Sequence, residues 1–417
     1  MIASAYMANL LGHDRVLTAD MGGTSFDVSI ITDGFWKYAE EPIFDRFRIL
    51  QPIADIESIG AGGGTVARVD PVTGRLLVGP QSAGASPGPV CYGQGGEQPT
   101  VTDADVVLGY IDPDYFLGGR TRLDKAKAEE AIQERVAKPL RLEVVEAAAG
   151  IYDIINNKMS DLIRRQIVRS GYLPEDFVLY AFGGAGPVHA AGFARELGIR
   201  HIYVFPTAPV FSAFGAATAD IVHSRVMTYN AVMPIDPTAL NERLDAVEQE
   251  LLALMASENF GSEDVQFRRF VSMRFRRQTY GVELSLPRDR LDAGKVDELR
   301  RLFEVKYEDL YGTGSGFTRA GMELNTLRVD AIGQVPKPVL TKTAEGGLDP
   351  NEARKGARLA YFDGQFIDTV TYQYERLEPG VLVAGPGIVE AALTTIVVPP
   401  GHLASVDGYR NVVITQR

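Results

Sequence analysis

Between Phe177 and Phe205 a strand, a glycine turn, a helix and a second strand follow one another without interruption: FVLYAF, GGAGPVHAAGFARELGI and IYVF. An apolar run that stops at glycines and resumes at helical spacing reads as a β-α-β unit. A second glycine turn sits far upstream in VLTADMGGTSFDVSII, where two short apolar strands flank Gly22-Gly23 and read as a hairpin. The two turns are about 160 residues apart. A chain that must place both of them is committed to a mixed α/β core.

The rest of the chain fills in around that core. IASAYMANLLG reads as an opening helix stopped at Gly12, and a start inside an apolar element reads as a truncated or split gene product. A glycine cluster, GAGGGT, covers Gly60–Thr65, and the Gly-, Pro- and Ser-rich segment Pro71–Thr102 reads as a functional or locally disordered loop. LDKAKAEEAIQERVAKPL is a charged, surface-exposed helix. In VEAAAGIYDIINNKMSDLIRRQIVRSG, residues Ile151, Ile154, Ile155, Met159, Leu162, Ile163 and Ile167 keep helical spacing until Gly171 and Pro174 end the helix. After about Arg225 the composition changes. Helices over Leu240–Met255 and Ala293–Tyr311 flank the strands FRRFVSMRFRR and GVELSLP, MELNTLRVDAIGQV is a further strand, and turns and strands dominate from about Leu359. The expected domains are 1–225 and 226–417. There is no internal repeat, low-complexity tract or coiled-coil heptad.

Composition excludes several classes. A net charge of −12 argues against gripping nucleic acid through its phosphates. A single cysteine, Cys91, rules out an internal disulfide and a cysteine-based zinc site. With five histidines, a bound metal would rely mostly on carboxylates. No apolar run reaches transmembrane length and no signal peptide opens the chain, so no membrane partner and a cytoplasmic location are expected.

The chemistry concentrates in the glycine turns. A phosphate needs close backbone approach, which Gly22 and Gly23 permit, while Thr24 and Ser25 offer hydroxyls and N–H groups. Asp20 at a strand end and Asp27 nearby suit a hard cation such as Mg²⁺ held through water. The plainer reading is a Gly-Gly hairpin with Asp27 as a turn cap. Gly183, Gly184, Ala185 and Gly186 lie where a helix start adds partial positive charge, as in nucleotide-type β-α-β units. A tight turn that binds nothing is the plainer reading there. Gly62, Gly63, Gly64 and Thr65 read evenly as a binding loop or a flexible turn. Asp103 and Asp105 read as metal helpers or as helix caps, with the cap favoured. His189, in the first turn of its helix, reads as a core or capping histidine that lies close to a phosphate position. Arg164 and Arg165 read as salt-bridged surface charges. Arg268, Arg269, Arg274, Arg276 and Arg277 read as a solvated strand face or a partner contact. Cys91, with no base beside it, reads as a bystander.

DMGGTSFDVS, SIGAGGGTVARVD, GPQSAGASPGPVCYG, PTVTDADVVLGY, FGGAGPVHA and TTIVVPPGH, in this order and over almost the whole chain, resemble the hydantoinase A / 5-oxoprolinase family. Its members include N-methylhydantoinases, 5-oxoprolinases and ATP-dependent acetone and acetophenone carboxylases. The resemblance implies an actin/hexokinase/Hsp70-like ATPase fold, central part only, with a C-terminal α+β, strand-rich domain. It makes DMGGTSFD a second phosphate loop and FGGAGP an adenosine-side loop. Family members begin with a further domain carrying a first D-x-G-G-T-x-x-D loop, and no second copy occurs in these 417 residues. The resemblance therefore implies ATP and Mg²⁺ as cofactors, with Asp20 and Asp27 catalytic. It implies a small carbonyl substrate, a hydantoinase B type partner that carries any substrate metal, and either a separate chain supplying the first loop or a truncated sequence. The expected reaction is ATP-dependent opening of a hydantoin, 5-oxoproline or related lactam. Ketone carboxylation is the alternative, and a non-catalytic scaffold is the alternative of another class.

Overall fold

The computed structural model describes residues 1–416 except 33, 40–42, 45, 49–52, 280, 345, 347 and 348. The chain forms two compact units. One comprises residues 1–39, 54–217 and 339–417, the other 40–53 and 218–338.

In the first unit the hairpin forms as its apolar strands dictate. Arg15–Met21 pairs antiparallel with Phe26–Thr32, and Asp20 stands opposite Asp27. Arg15–Met21 also pairs parallel with Val178–Phe182, which pairs parallel with His201–Val204. The β-α-β unit is thus built onto the hairpin, with the helix Gly186–Arg195 between its strands. Beyond His201–Val204 the sheet continues through Val412–Gln416, His402–Val406 and Leu382–Ala384. A separate four-stranded sheet carries Arg354–Phe362, Gln365–Gln373, Gly387–Ala391 and Thr394–Val398.

The long helix runs Val144–Arg169 and opens on a capping box between Glu143 and Glu146. It buries Ile151, Ile155, Met159, Leu162, Ile163 and Ile167 on one face. Ser160 Oγ crosses from it to the carbonyl of Phe193 at 2.8 Å, tying it to the helix of the β-α-β unit. The glycine-rich stretch 71–102 is more ordered than its composition suggests. Leu76–Ser82 is a strand paired with Thr65–Val69, because Val78 is buried and Lys158 Nζ donates to its carbonyl.

The second unit is an antiparallel sheet ordered Ile221–Val232, Met322–Gly333, Val265–Phe275, Val282–Leu286. Asp236 and Asp292 cap the helices Pro237–Ser257 and Ala293–Tyr311. Val271, Met273 and Phe275 alternate into a core with Leu244, Leu251 and Phe303. The arginines of this sheet are paired: Arg269 with Glu248 and Arg274 with Glu323. These compact units are not contiguous in sequence, and residue 225 is not their border. It falls inside the strand Ile221–Val232, and the C-terminal residues return to the first unit by pairing Val412–Gln416 against His201–Val204.

Phe303 meets Phe275 at 5.1 Å and Tyr307 at 5.6 Å. Phe303→Ala is expected to destabilise the second unit by about 3–5 kcal/mol, read as an earlier urea transition. A loss under about 1 kcal/mol would contradict the role of this cluster.

Candidate functional site

The site is organised on the backbone of Met21–Thr24. Gly22 N–H closes the hairpin onto Ser25 O at 3.2 Å. The Gly60–Thr65 loop docks on that turn, Gly63 N–H reaching Gly22 O at 3.0 Å and Gly64 N–H reaching Gly23 O at 2.7 Å. Gly62 N–H donates to Thr65 Oγ1 at 2.7 Å. Thr102 donates to Gly63 O from both its amide (2.8 Å) and its hydroxyl (2.9 Å). A Cβ at residue 62 would lie 2.5 Å from Thr24 N. The amides of Gly62, Gly63 and Gly64 are therefore committed within the protein, and glycine is needed there for backbone-on-backbone contact.

Gly22 and Gly23 differ. Neither has a positive φ, and a Cβ at either would meet nothing within 4 Å. Neither conformation nor packing requires glycine here, and the open space in front of them suits a ligand that approaches the main chain.

The second glycine turn rides on the same strand end. Gly183 has φ +85°, and a Cβ there would lie 2.2 Å from Met21 O. Ala185 N–H donates to Met21 O at 3.0 Å, and Gly183 N–H to Ala208 O at 2.9 Å. Gly184 is open, with only Leu393 O at 3.9 Å. The helix Gly186–Arg195 begins with no side-chain cap. Pro187 has no N–H, and Val188 N–H donates to Ala185 O at 3.1 Å, so what this start offers a ligand is mainly the positive end of the helix dipole.

These turns line one cavity of about 340 Å³. Gly22, Gly23, Thr24, Gly63, Gly64, Gly184 and Ala185 all reach it; Ser25, Gly62, Gly183 and Gly186 do not. Asp20 and Asp27 do not line it either. They share one face of the hairpin, since directly paired residues project the same way. Ser212 Oγ donates to Asp20 Oδ2 at 3.0 Å, and Ser25 Oγ to Asp27 Oδ2 at 3.0 Å, with Ser58 Oγ on Asp27 Oδ1. Burial lifts the Asp20 carboxyl above the usual carboxylate range, and the Asp27 charge adds to this against the Ser212 hydrogen bond. Two facing carboxylates of this kind fit a Mg²⁺ that keeps water and phosphate oxygens in its remaining positions. Among the described residues no group of three or more His, Cys, Asp and Glu could form a metal cluster.

The remaining lining comes from residues that sequence reading missed or left open. Tyr92, Tyr115 and Phe116 give it an aromatic wall, and Glu390 joins it, held by Lys355 and Arg358. Burial pushes the Tyr92 phenol up to about 12, so it stays a hydrogen-bond donor at neutral pH. Asp103 is the cap that was expected. It accepts from the amides of Val90, Cys91 and Thr100 and from the Thr100 hydroxyl. Asp105 is not a cap. It is 1% exposed, lines the cavity, and has Oδ2 3.3 Å from His189 Nε2, while Oδ1 has no partner among the described residues. An unsatisfied buried acceptor costs about 1–3 kcal/mol, so it calls for an explanation. His189 is the core histidine expected, fully buried and also 3.3 Å from Asn156 Oδ1. Arg164 and Arg165 lie on the exposed helix face, Arg164 paired with Asp161. Cys91 is buried with its thiol pushed upward by that burial and by Asp103, which leaves it unreactive.

A hydantoinase/oxoprolinase family model matches residues 1–225, and the model of that family's C-terminal domain matches 235–416. The chain belongs to the hydantoinase/oxoprolinase family. It is 41% identical over 422 residues to the acetophenone carboxylase gamma subunit of Aromatoleum aromaticum, covering 98% of this chain and 57% of that one. Its fold matches the ATP-dependent caprolactamase from Pseudomonas jessenii with a TM-score of 0.89 at 33% identity, over 100% of this chain and 60% of that one. It also matches the nucleotide-free acetone carboxylase from work on ATP-dependent acetone carboxylation, with a TM-score of 0.82 at 32% identity, over 100% and 60%. This hydantoinase/oxoprolinase chain thus spans about three fifths of the length of these three relatives. Its fold agrees with the ATPase-type α/β core and strand-rich C-terminal part expected. Among the described residues, no helix is long and apolar enough to cross a membrane.

The two kinds of glycine separate in a pair of substitutions. Gly62→Ala forces a clash with Thr24 N and is expected to cost about 1–3 kcal/mol in thermal unfolding. Gly23→Ala points into open space and is expected to stay within about 0.5 kcal/mol. Equal losses would contradict the distinction.

Proposed function

We propose that this family member is the ATP-handling part of an enzyme that activates a small carbonyl compound. One observation carries the reading: the open glycines of Gly22–Thr24 and the turn Gly184–Ala185, just ahead of the helix Gly186–Arg195, meet at one cavity with an aromatic wall. The open glycines leave room for phosphate oxygens against the main chain, and the helix start adds partial positive charge. Asp20, fixed by Ser212, and Asp27 would hold Mg²⁺ through water on the adjoining face. A bound Mg²⁺ neutralises charge on a transferring phosphoryl group. The protein's own part is positioning: Gly22–Thr24 for phosphates, Gly184 and Ala185 beside them, the cavity for the carbonyl compound. The D-x-G-G-T-x-x-D pattern occurs once in these residues. The facing phosphate loop is assigned to polypeptide outside them, on the same or another chain, and a hydantoinase B type subunit to the assembly.

Two substrates fit. Opening of a cyclic amide, the reading placed first from sequence, draws support from the fold match to caprolactamase. A ketone bearing an aromatic ring is favoured by the higher identity to the acetophenone carboxylase subunit, 41% against 33%, and by Tyr92, Tyr115 and Phe116 around the cavity.

In the assembled complex, labelled ATP is expected to bind at equilibrium. Asp20→Ala is expected to lower substrate-dependent ADP release by about 100-fold or more. Absence of nucleotide binding would sink the enzyme reading, and an unchanged ATPase rate would remove Asp20 from the site. Mass analysis of products from acetophenone with bicarbonate, against products from cyclic amides, separates the two substrates.

A further inference from the structure

Two aspartates two residues apart on the helix Val101–Val107 have opposite fates. Asp103 is fully engaged by three amides and a hydroxyl. Asp105, equally buried, is bonded through Oδ2 to His189, and its Oδ1, itself buried, has no partner among the described residues; the residue lines the cavity. The state of that pair follows from its second neighbour. Asn156 Nδ2 donates to Tyr152 O at 2.9 Å, which leaves Asn156 Oδ1 facing His189 Nδ1. An amide oxygen can only accept, so Nδ1 carries a hydrogen. The contact between Nε2 and Oδ2 then holds a further proton, shared between imidazole and carboxylate. The Tyr152 ring is stacked on His189 at 4.8 Å and 23°, an arrangement that tolerates an imidazolium. With that proton on His189 the pair is neutral overall and Oδ1 is a carboxylate oxygen.

We propose that Asp105 is a catalytic base of this cavity, taking through Oδ1 a proton from the atom beside the substrate's carbonyl carbon. That atom is the α-carbon of a ketone or the ring nitrogen of a cyclic amide. The inference rests on the cavity being the carbonyl site proposed above. The C–H or N–H bond breaks and its electron pair forms a C=C or C=N bond. The carbonyl π pair moves to oxygen, which bonds to the terminal phosphorus of ATP as the bond to ADP breaks. The proton ends on Oδ1. The pair then carries one positive charge, which offsets the negative charge developing on the substrate oxygen. His189 and Asn156 are positioning residues.

Burial raises the Asp105 carboxyl above the usual carboxylate range, the His189 charge draws it part of the way back, and Asp103 pushes it up. The other titratable groups near it, Cys91, Tyr110 and Tyr152, are all raised by burial and stay protonated at neutral pH. Turnover is therefore expected to rise with pH through an acid limb set above ordinary carboxylates.

The test uses the assembled complex with ATP and two probes, acetophenone and a cyclic amide. Asp105→Asn keeps the shape and is expected to lower substrate-dependent ADP release by about 10²–10⁴-fold while the Kd for ATP stays within about twofold. Exchange of acetophenone methyl protons in D₂O, followed by NMR, is expected in the wild type and lost in the variant. His189→Gln is expected to move the acid limb to higher pH, which a purely structural histidine would not do. Asp105→Asn with turnover and exchange within about threefold of wild type overturns the base. Should that variant not fold, an unshifted limb in His189→Gln overturns it and a shifted one supports it. ATP binding separates the two readings. Its loss from the wild type fails the functional reading, whereas lost turnover with ATP binding intact in Asp105→Asn supports the base.

Discussion

The end of the strand Arg15–Met21 is the constraint from which the rest follows. Within four residues, Met21 to Thr24, its main chain supports the Gly60–Thr65 loop, the Gly183–Gly186 turn and the hairpin itself. Met21 O accepts from Ala185, Gly22 O from Gly63 and Gly23 O from Gly64. Side chains on either loop would hold these backbones apart, since contacts under 3 Å at positions 62, 64 and 183 leave no space for a Cβ. Hydrogen bonds between main chains cannot be replaced by side-chain substitution. The cavity wall is therefore set by the fold, and chemistry is left to the few residues that project into it.

The buried carboxylates in and around the cavity divide by how completely the protein satisfies them. Asp103 and Glu390 are buried with full sets of partners and serve as struts, one holding the 90–100 segment and the other answering Lys355 and Arg358. Asp20 and Asp105 are lifted by burial and incompletely compensated. Among the described residues five buried side-chain atoms have no hydrogen-bond partner, and Asp105 Oδ1 is the one of them whose residue lines the cavity.

Much of the fold was legible because it rests on local patterns. The hairpin, the β-α-β unit, the long helix and the helices and strands of the second unit follow from apolar periodicity and glycine stops. What sequence could not supply was long-range pairing. The return of Val412–Gln416 to His201–Val204 joins residues some two hundred positions apart and leaves no local trace. At the site, glycine clusters pointed to loops that line the cavity without separating glycines that pack, such as Gly62, from glycines that leave room, such as Gly23. That distinction depends on what stands opposite each Cβ. Asp105 and His189 were both noticed, but their meeting across 84 residues was not readable. The only local signal was that Asp105 follows Asp103 by two positions, which puts it on a different face of the helix.

The central claim is that the turn Gly22–Thr24 receives phosphate while the cavity beside it receives a carbonyl compound. A structure of the assembled complex with a non-hydrolysable ATP analogue and acetophenone tests it most directly. The account predicts the terminal phosphate against the Gly23 and Thr24 main chain, with the ketone between Tyr92, Tyr115 and Asp105. A nucleotide bound elsewhere, with Gly22–Thr24 untouched, would contradict it.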